Sequence, residues 1–380
     1  MNVAPQFLAA IHMPREVIFG FLAALVIVLA LTPAVGSLAR RAGVVDEPGG
    51  RRQNELPIPR LGGIALFFAI FVPALVFLDL SRPLRAILVG AGIATAVGAI
   101  DDARNLVWWQ KLSGQALAAA VTAGLGVYVD RFTFPVIGVG ALPKWLGIAL
   151  TILWIVAIMN MVNFLDGLDG LAAGVCAISA VTFCLIALSI NKDAQPAILS
   201  AIVFGAALGF LRHNFYPARI FMGDSGALLL GFVLAAISVW GVLKTAATVA
   251  LAFPLLVLAI PILDTSFVVA KRIKHGKPIY SADRFHLHHR FLDRGFTQRQ
   301  AVLTMYLWCA TLAGAALATR FLAPHAHGHW QLWSTFADAL IGLAVLAVSA
   351  YIVYVLEIVK VSSPRARRRR RAAERERRSA

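Results

Sequence analysis

Four short clusters in this 380-residue chain combine residue types and spacings suited to handling anionic groups. The first is Asp101-Asp102, directly after an apolar run that ends at Ile100. Two adjacent carboxylates repel each other unless a cation or a proton sits between them. Their plain alternative is a pair of interfacial charges facing water. Lys111 follows closely and can meet a phosphate or simply snorkel to the interface. The second cluster runs from Asn160 through Asn163, Asp166, Gly167 and Asp169 to Gly170 without a Lys or Arg. In a helix, Asp166 and Asp169 would share a face. The glycines equally permit a broken helix whose backbone approaches a ligand closely. The third is Gly223-Asp224-Ser225-Gly226-Ala227, where Asp or Ser can cap a helix and Asp224 can hold a metal. The fourth is His286-Leu287-His288-His289-Arg290, flanked by Arg284 and Arg294. It suits a phosphate. Such His spacing also suits zinc, but no cysteine is near and the neighbouring acids prefer hard cations.

All twelve acidic residues between Leu56 and Leu356 are aspartates, and seven fall in loops on one side of the alternation described below. Short carboxylates gathered on one face favour close coordination of Mg2+, with Mn2+ as a substitute, because Mg2+ usually takes one or two protein carboxylates together with substrate phosphates. Asp264 lies inside an apolar run, and an acid within the bilayer is a functional candidate by default. The segment Pro57-Ile58-Pro59-Arg60-Leu61-Gly62-Gly63 makes a turn into an apolar run; the arginines of this first loop can hold a lipid phosphate or merely set topology.

Such residues need elements to carry them, and the composition names the elements. The chain is 59% hydrophobic and 14% charged, against about 25% charged in an ordinary globular chain. A soluble enzyme, a disordered regulator and a secreted disulfide scaffold are excluded. An all-α polytopic membrane protein remains. Eleven apolar runs stand near 17–36, 61–80, 86–100, 114–130, 146–162, 171–190, 197–211, 226–243, 247–270, 300–320 and 336–358. The third and seventh are short and should extend into their polar flanks. Counted in alternation, one set of loops holds 27 Lys and Arg and the other 8. The basic set belongs in the cytoplasm, so the N-terminus lies outside and the C-terminus inside. Residues 1–360 read as one membrane domain. Residues 361–380 read as a disordered basic tail resting on anionic lipid rather than nucleic acid. Cys176, Cys184 and Cys309 lie in apolar runs without CxxC spacing and read as small hydrophobes.

The four clusters, in this order and with the PRLGG of residues 59–63 before them, resemble the polyprenyl-phosphate N-acetylhexosamine-1-phosphate transferase family, glycosyltransferase family 4. The HxHHR form ending in Arg290, with eleven spans, is similar to the bacterial branch that uses UDP-GlcNAc. Ala227 stands where that family usually has Ser, and Asn54 where it often has His.

The resemblance implies transfer of a sugar 1-phosphate from a UDP-sugar to undecaprenyl phosphate, with Mg2+, at the cytoplasmic face of the cell membrane. UMP leaves, and the lipid-linked product feeds envelope polysaccharide synthesis. It further implies that Asp224, with Asp102 and Asp169, holds the metal, while Asp101 or Asp102 positions the attacking phosphate or acts as a base. Asp166, Asp169 and Asn163 would arrange the nucleotide. His286, His288, His289 and Arg290 would neutralise phosphate, with Lys111, Arg60 and Asp264 as further substrate contacts. The expected partners are the two substrates and the bilayer, with no nucleic acid; a homodimer is compatible with this. The alternatives are a different UDP-N-acetylhexosamine or UDP-MurNAc-pentapeptide as donor, and, from another class, a nucleotide-sugar or ion transporter.

Overall fold

A computed structural model describes residues 13–47, 57–134, 138–190, 193–242, 255, 258–274, 287–321, 325–326, 329–330 and 332–355. The tail at 361–380, Asn54 and His286 lie outside the described residues.

Among the described residues the apolar runs overlap helices, because in a bilayer only a helix satisfies its own backbone. In chain order these are α1 (Arg15–Arg41), α2 (Gly62–Phe77), α3 (Arg82–Arg104), α4 (Trp108–Gly124), α5 (Lys144–Leu165), α6 (Leu171–Ile190), α7 (Gln195–Asn214) and α8 (Gly223–Ile237). There follow α9 (Ala259–Lys274), the short α10 (Leu287–Asp293), α11 (Gln298–Phe321) and α12 (Leu332–Val355). Three two-stranded ribbons complete the described residues. Seven helices are long and apolar enough to cross a membrane among the described residues. At 16 and 17 residues, α2 and α4 fall short of that length. The protein is an all-α polytopic membrane protein.

The two short runs do extend. α3 reaches 23 residues and carries Asp101 and Asp102 in its final turn, and α7 reaches 20 residues and includes Arg212 and His213. α3 starts under a Ser81 cap, whose hydroxyl accepts from Leu84 N–H, and ends at Asn105 in the left-handed region (φ 50°).

α8 is the axis of the bundle. In its apolar window 94% of residues are buried, against 28% for α1. A helix that is hydrophobic all round belongs in a core. α3, α5 and α2 pack directly on α8; α1 packs outside them on α7 and α2, and α6 joins α7 to α11. Close approach at the start of α8 needs glycine. A Cβ on Gly63 would collide with the backbone of Ser225 and Gly226, and one on Gly98 with the backbone of Asp224 and Ser225. Main chain also ties these segments together: Gly62 and Gly63 N–H donate to the carbonyls of Phe221 and Met222 (3.0 and 2.8 Å), and Phe221 N–H donates to Pro59 O (2.8 Å). The PRLGG segment thus clamps the irregular segment that leads into α8. Trp108 and Trp109 are exposed at this end, and Trp145 at the opposite end, as expected for an aromatic belt at each interface.

Gly63→Val and Gly98→Leu should abolish monodisperse elution from a sizing column in detergent. Gly92→Ala, whose Cβ would find only Phe67 at 3.9 Å, should elute as the parent does.

Candidate active site

The alternation of the bundle brings the ends of α3 and α5 and the starts of α2, α4, α6 and α8 to one side. Lys111, in the first turn of α4, is the hub there. Its ammonium lies 2.9 Å from Asp101 Oδ2 and 2.8 Å from Asp224 Oδ2, and donates to Asn163 Oδ1 at 3.2 Å. Asn163 Nδ2 in turn donates to Asp224 Oδ1. Both oxygens of Asp224 are therefore engaged, one by a cation and one by an amide. Asp101 uses Oδ1 to accept from Leu106 N–H at 2.7 Å. That bond fixes the turn between α3 and α4, and with it the place of Lys111.

Asp102 does a different job. It accepts from Asp224 N–H (2.8 Å), Ser225 N–H (3.0 Å) and the Ser225 hydroxyl (2.8 Å). The first N–H groups of a helix have no partner within it and carry positive partial charge. Met222, at the cap position, offers no side-chain bond, so Asp102 caps α8 from another helix. Gly223 sits at φ +69°, and a Cβ there would collide with Asp102 and with Arg60 O. The sequence alternatives of cap and metal site resolve by division of labour: Asp102 caps, and Asp224 points into the cluster.

The NFLDGLDG segment is a broken helix, not a continuous one. α5 stops at Leu165, Gly170 takes φ +80°, and α6 begins at Leu171. Asp166 occupies the break. Part of its surface stays accessible, yet burial pushes its carboxyl up to about 8, reinforced by the charges of Asp224, Asp102 and Asp169 and opposed by Arg60. Arg60 also pairs weakly with Asp46, at 3.7 Å. Asp169 accepts from Ala218 N–H at 2.9 Å, holding the loop after α7. Burial raises its carboxyl as well, against that hydrogen bond.

The remaining expected residues are placed less directly. His288 and His289 stand on α10. Its Phe291 is buried in the same apolar cluster as Leu165, Leu168 and Leu171, which docks α10 beside the broken helix. Arg290 is half-buried on α10. Asp264 is fully buried in α9, which packs on α5. It lies about 12 Å along the axis from Arg272. The Arg272 guanidinium sits 6.0 Å from the centre of the Phe164 ring, next to Asn163.

Sequence reasoning missed three supports. Asn214 accepts from Gly170 N–H (3.1 Å) and donates to Ile220 O (3.0 Å). Tyr306 OH donates to Gly170 O at 2.6 Å. Gln115, fully buried, exchanges amide hydrogen bonds with Asn160 (2.5 and 3.4 Å), one turn below Asn163. An amide inside an apolar run is the signal that would have found Gln115; Asn214 lies past the run at 197–211 and gave none.

Among the described residues no three His, Cys, Asp or Glu side chains converge as a ready-made metal centre. Zinc, which takes four side chains in a structural site, finds no such set among the described residues. The donors present are hard oxygens of Asp101, Asp166, Asp224 and Asn163. They suit an ion that completes its shell with water and phosphate, as Mg2+ does. Asp102 and Asp169, expected as further ligands, have oxygens committed to backbone N–H groups.

Residues 84–242, from α3 to the end of α8 and the turn after it, match the family described as glycosyl transferase family 4. A probable undecaprenyl-phosphate N-acetylglucosaminyl 1-phosphate transferase of Bacillus subtilis is 37% identical over 293 residues, covering 77% of this chain and 82% of that protein. The chain belongs to glycosyl transferase family 4. A decaprenyl-phosphate N-acetylglucosaminephosphotransferase of Mycobacterium leprae is 36% identical over 345 residues, 83% of this chain and 86% of its own. A phospho-N-acetylmuramoyl-pentapeptide-transferase of Desulforudis audaxviator is 31% identical over 327 residues, 78% and 95% of the two chains. In this family 4 member the matched stretch holds Asp101, Asp102, Lys111, Asn163, Asp166, Asp169 and Asp224, while HLHHR lies beyond it.

The raised Asp166 carboxyl has a stability consequence. A group held above its ordinary 3.8 contributes stability that is complete below that value and lost as the pH climbs through about 8. Without divalent cation, Asp166→Asn should therefore unfold at a higher temperature than the parent near about pH 9 and at the same temperature near about pH 5. Thermal melts in detergent with EDTA check this. Added Mg2+ should narrow the gap at the higher pH.

Proposed function

We propose that this chain transfers N-acetylglucosamine 1-phosphate from UDP-GlcNAc to undecaprenyl phosphate, giving UMP and the lipid-linked sugar diphosphate used for envelope polysaccharide. The observation that carries this reading is the convergence of Asp101, Asn163 and Asp224 on Lys111 at one end of the bundle. The names of relatives sharing 36 and 37% of their aligned residues favour the donor and the acceptor type.

Both reactants are anions. A lipid phosphate monoester carries about −1.5 to −2 charges near neutrality, so it is already a nucleophile. One of its oxygens bonds to the sugar-bearing phosphorus of the diphosphate, and the P–O bond to UMP breaks. No general base is required. The work is to suppress repulsion and to steady UMP as it leaves, by positioning and electrostatics.

Asp224 and Asp101, with Asp166 nearby, would hold Mg2+, or Mn2+ in its place. When bound, that ion neutralises charge on the diphosphate. Lys111 supplies a second positive charge at the same point. Asn163 orients Asp224, and Asp102 holds the start of α8 that presents it. Asp169 keeps the loop after α7 against the broken helix. His286, His288, His289 and Arg290 bind phosphate, and Asp264 supports α5 from within α9.

In this reading the chain spans the cell membrane eleven times with its N-terminus outside. The charge split between loops, 27 against 8, puts the carboxylates at the cytoplasmic face. A homodimer is compatible with it. A carrier would need polar groups along a path through the bilayer, whereas the described carboxylates that meet Lys111 gather at one end.

Detergent-solubilised protein mixed with UDP-GlcNAc and undecaprenyl phosphate should release UMP with Mg2+ and not with EDTA; a carrier would release none in either case. Asp224→Asn should lower UMP release by about a thousandfold or more, the scale of losing a principal electrostatic group, with its melting temperature unchanged. Turnover retained in that variant would remove Asp224 from the metal role.

A further inference from the structure

A second basic site lies on the opposite flank of the same bundle end. There a cleft of about 460 Å³ opens between the C-terminal half of α1, the end of α7 and the loop that follows it. None of these segments supplies Asp101, Lys111, Asn163, Asp166 or Asp224. Arg40, His213 and Arg219 line one part of the cleft, and Pro33, Gly36 and Ile220 line the other. Arg40 and Arg219 are exposed, and Arg219 N–H donates to His213 O at 2.8 Å, which sets the two side by side.

His213 stands with the two arginines at the lining of the cleft, with its Nε2 buried and without a hydrogen-bond partner among the described residues.

The cleft is also graded along α1. Arg40 stands at the polar end, and Pro33 lies seven residues earlier, about 10 Å deeper along the helix. α1 is the least buried of the seven long apolar helices, with Leu22, Val26 and Leu38 all exposed. Its outer surface therefore faces lipid. A free phosphate would use only the basic end of such a cleft. A lipid uses both ends.

We propose that this cleft binds an anionic phospholipid. The phosphate lies against Arg40 and Arg219, and the start of the acyl region runs along Pro33 and Gly36. The site is distinct from the carboxylate cluster and does not depend on the transfer reading.

Native mass spectrometry of the full chain tests it, using phosphatidylglycerol and phosphatidylcholine of identical acyl chains. The parent should retain phosphatidylglycerol in clear preference. Arg40→Gln with Arg219→Gln should cut that preference by about tenfold or more, because each basic residue near the surface contributes about 1 kcal/mol toward anionic lipid. Gly36→Leu should lower retention with the charges intact. A Cβ at Gly36 makes only ordinary contacts, 3.5 Å to Ile220 and 3.7 Å to Pro59, so a longer side chain grows into the cleft without breaking the fold. Unchanged preference in the double variant, or unchanged retention in Gly36→Leu, would overturn the proposal. So would displacement of the lipid by inorganic phosphate alone, which would mean that a free anion is the ligand.

Discussion

The carboxylate of Asp102 on the N-terminus of α8 is the contact from which the rest of the site follows. Two backbone N–H groups and a hydroxyl converge on it, and they belong to the helix at the centre of the bundle. That bond sets how far α8 rises toward the membrane surface. The height of α8 sets where Asp224 projects, and Asp224 draws Lys111 and Asn163 to itself. Glycine is required at Gly63, Gly98 and Gly223 for the same reason. The backbone of α8 must come close enough to α2 and α3 for a short side chain from α3 to reach it.

A shell of amides and turns holds this arrangement from outside. Asn214 and Tyr306 both bind the backbone of Gly170, so α7 and α11 fix the break between α5 and α6. Gln115 and Asn160 bind each other across α4 and α5, directly below Lys111 and Asn163. The family match ends before α11, yet Tyr306 on that helix contacts the matched part of the chain. The later helices are therefore bonded to the site and not merely appended to it.

Much of this was legible in the sequence, for identifiable reasons. Apolar runs fixed the helices, because a bilayer leaves the backbone no other solution. The extension of α3 through Asp101 and Asp102 followed from the length a span requires. Seven of the twelve aspartates between Leu56 and Leu356 in one set of loops pointed to a shared site, and Asp101 and Asp224 do meet there on Lys111. The separate duties of the aspartates were not legible. Asp102 and Asp224 are 122 positions apart, and nothing local distinguishes a capping carboxylate from one that faces the cluster around Lys111. The choice between a continuous and a broken helix at Asp166 was equally undecided, since Gly167 and Gly170 suit both until Asn214 and Tyr306 bind the turn. Asp169, expected among the ligands, also secures the loop at Ala218 through one oxygen, a bond between two loops that periodicity does not encode.

The ammonium of Lys111 between Asp101 and Asp224 has one more consequence. The protein carries one counter-ion of its own, a single ammonium shared by two carboxylates. In the proposed transfer a divalent ion would compete with that ammonium for the same oxygens, so it would be held less tightly than by a bare pair of acids, and the displaced ammonium would be left for an incoming phosphate.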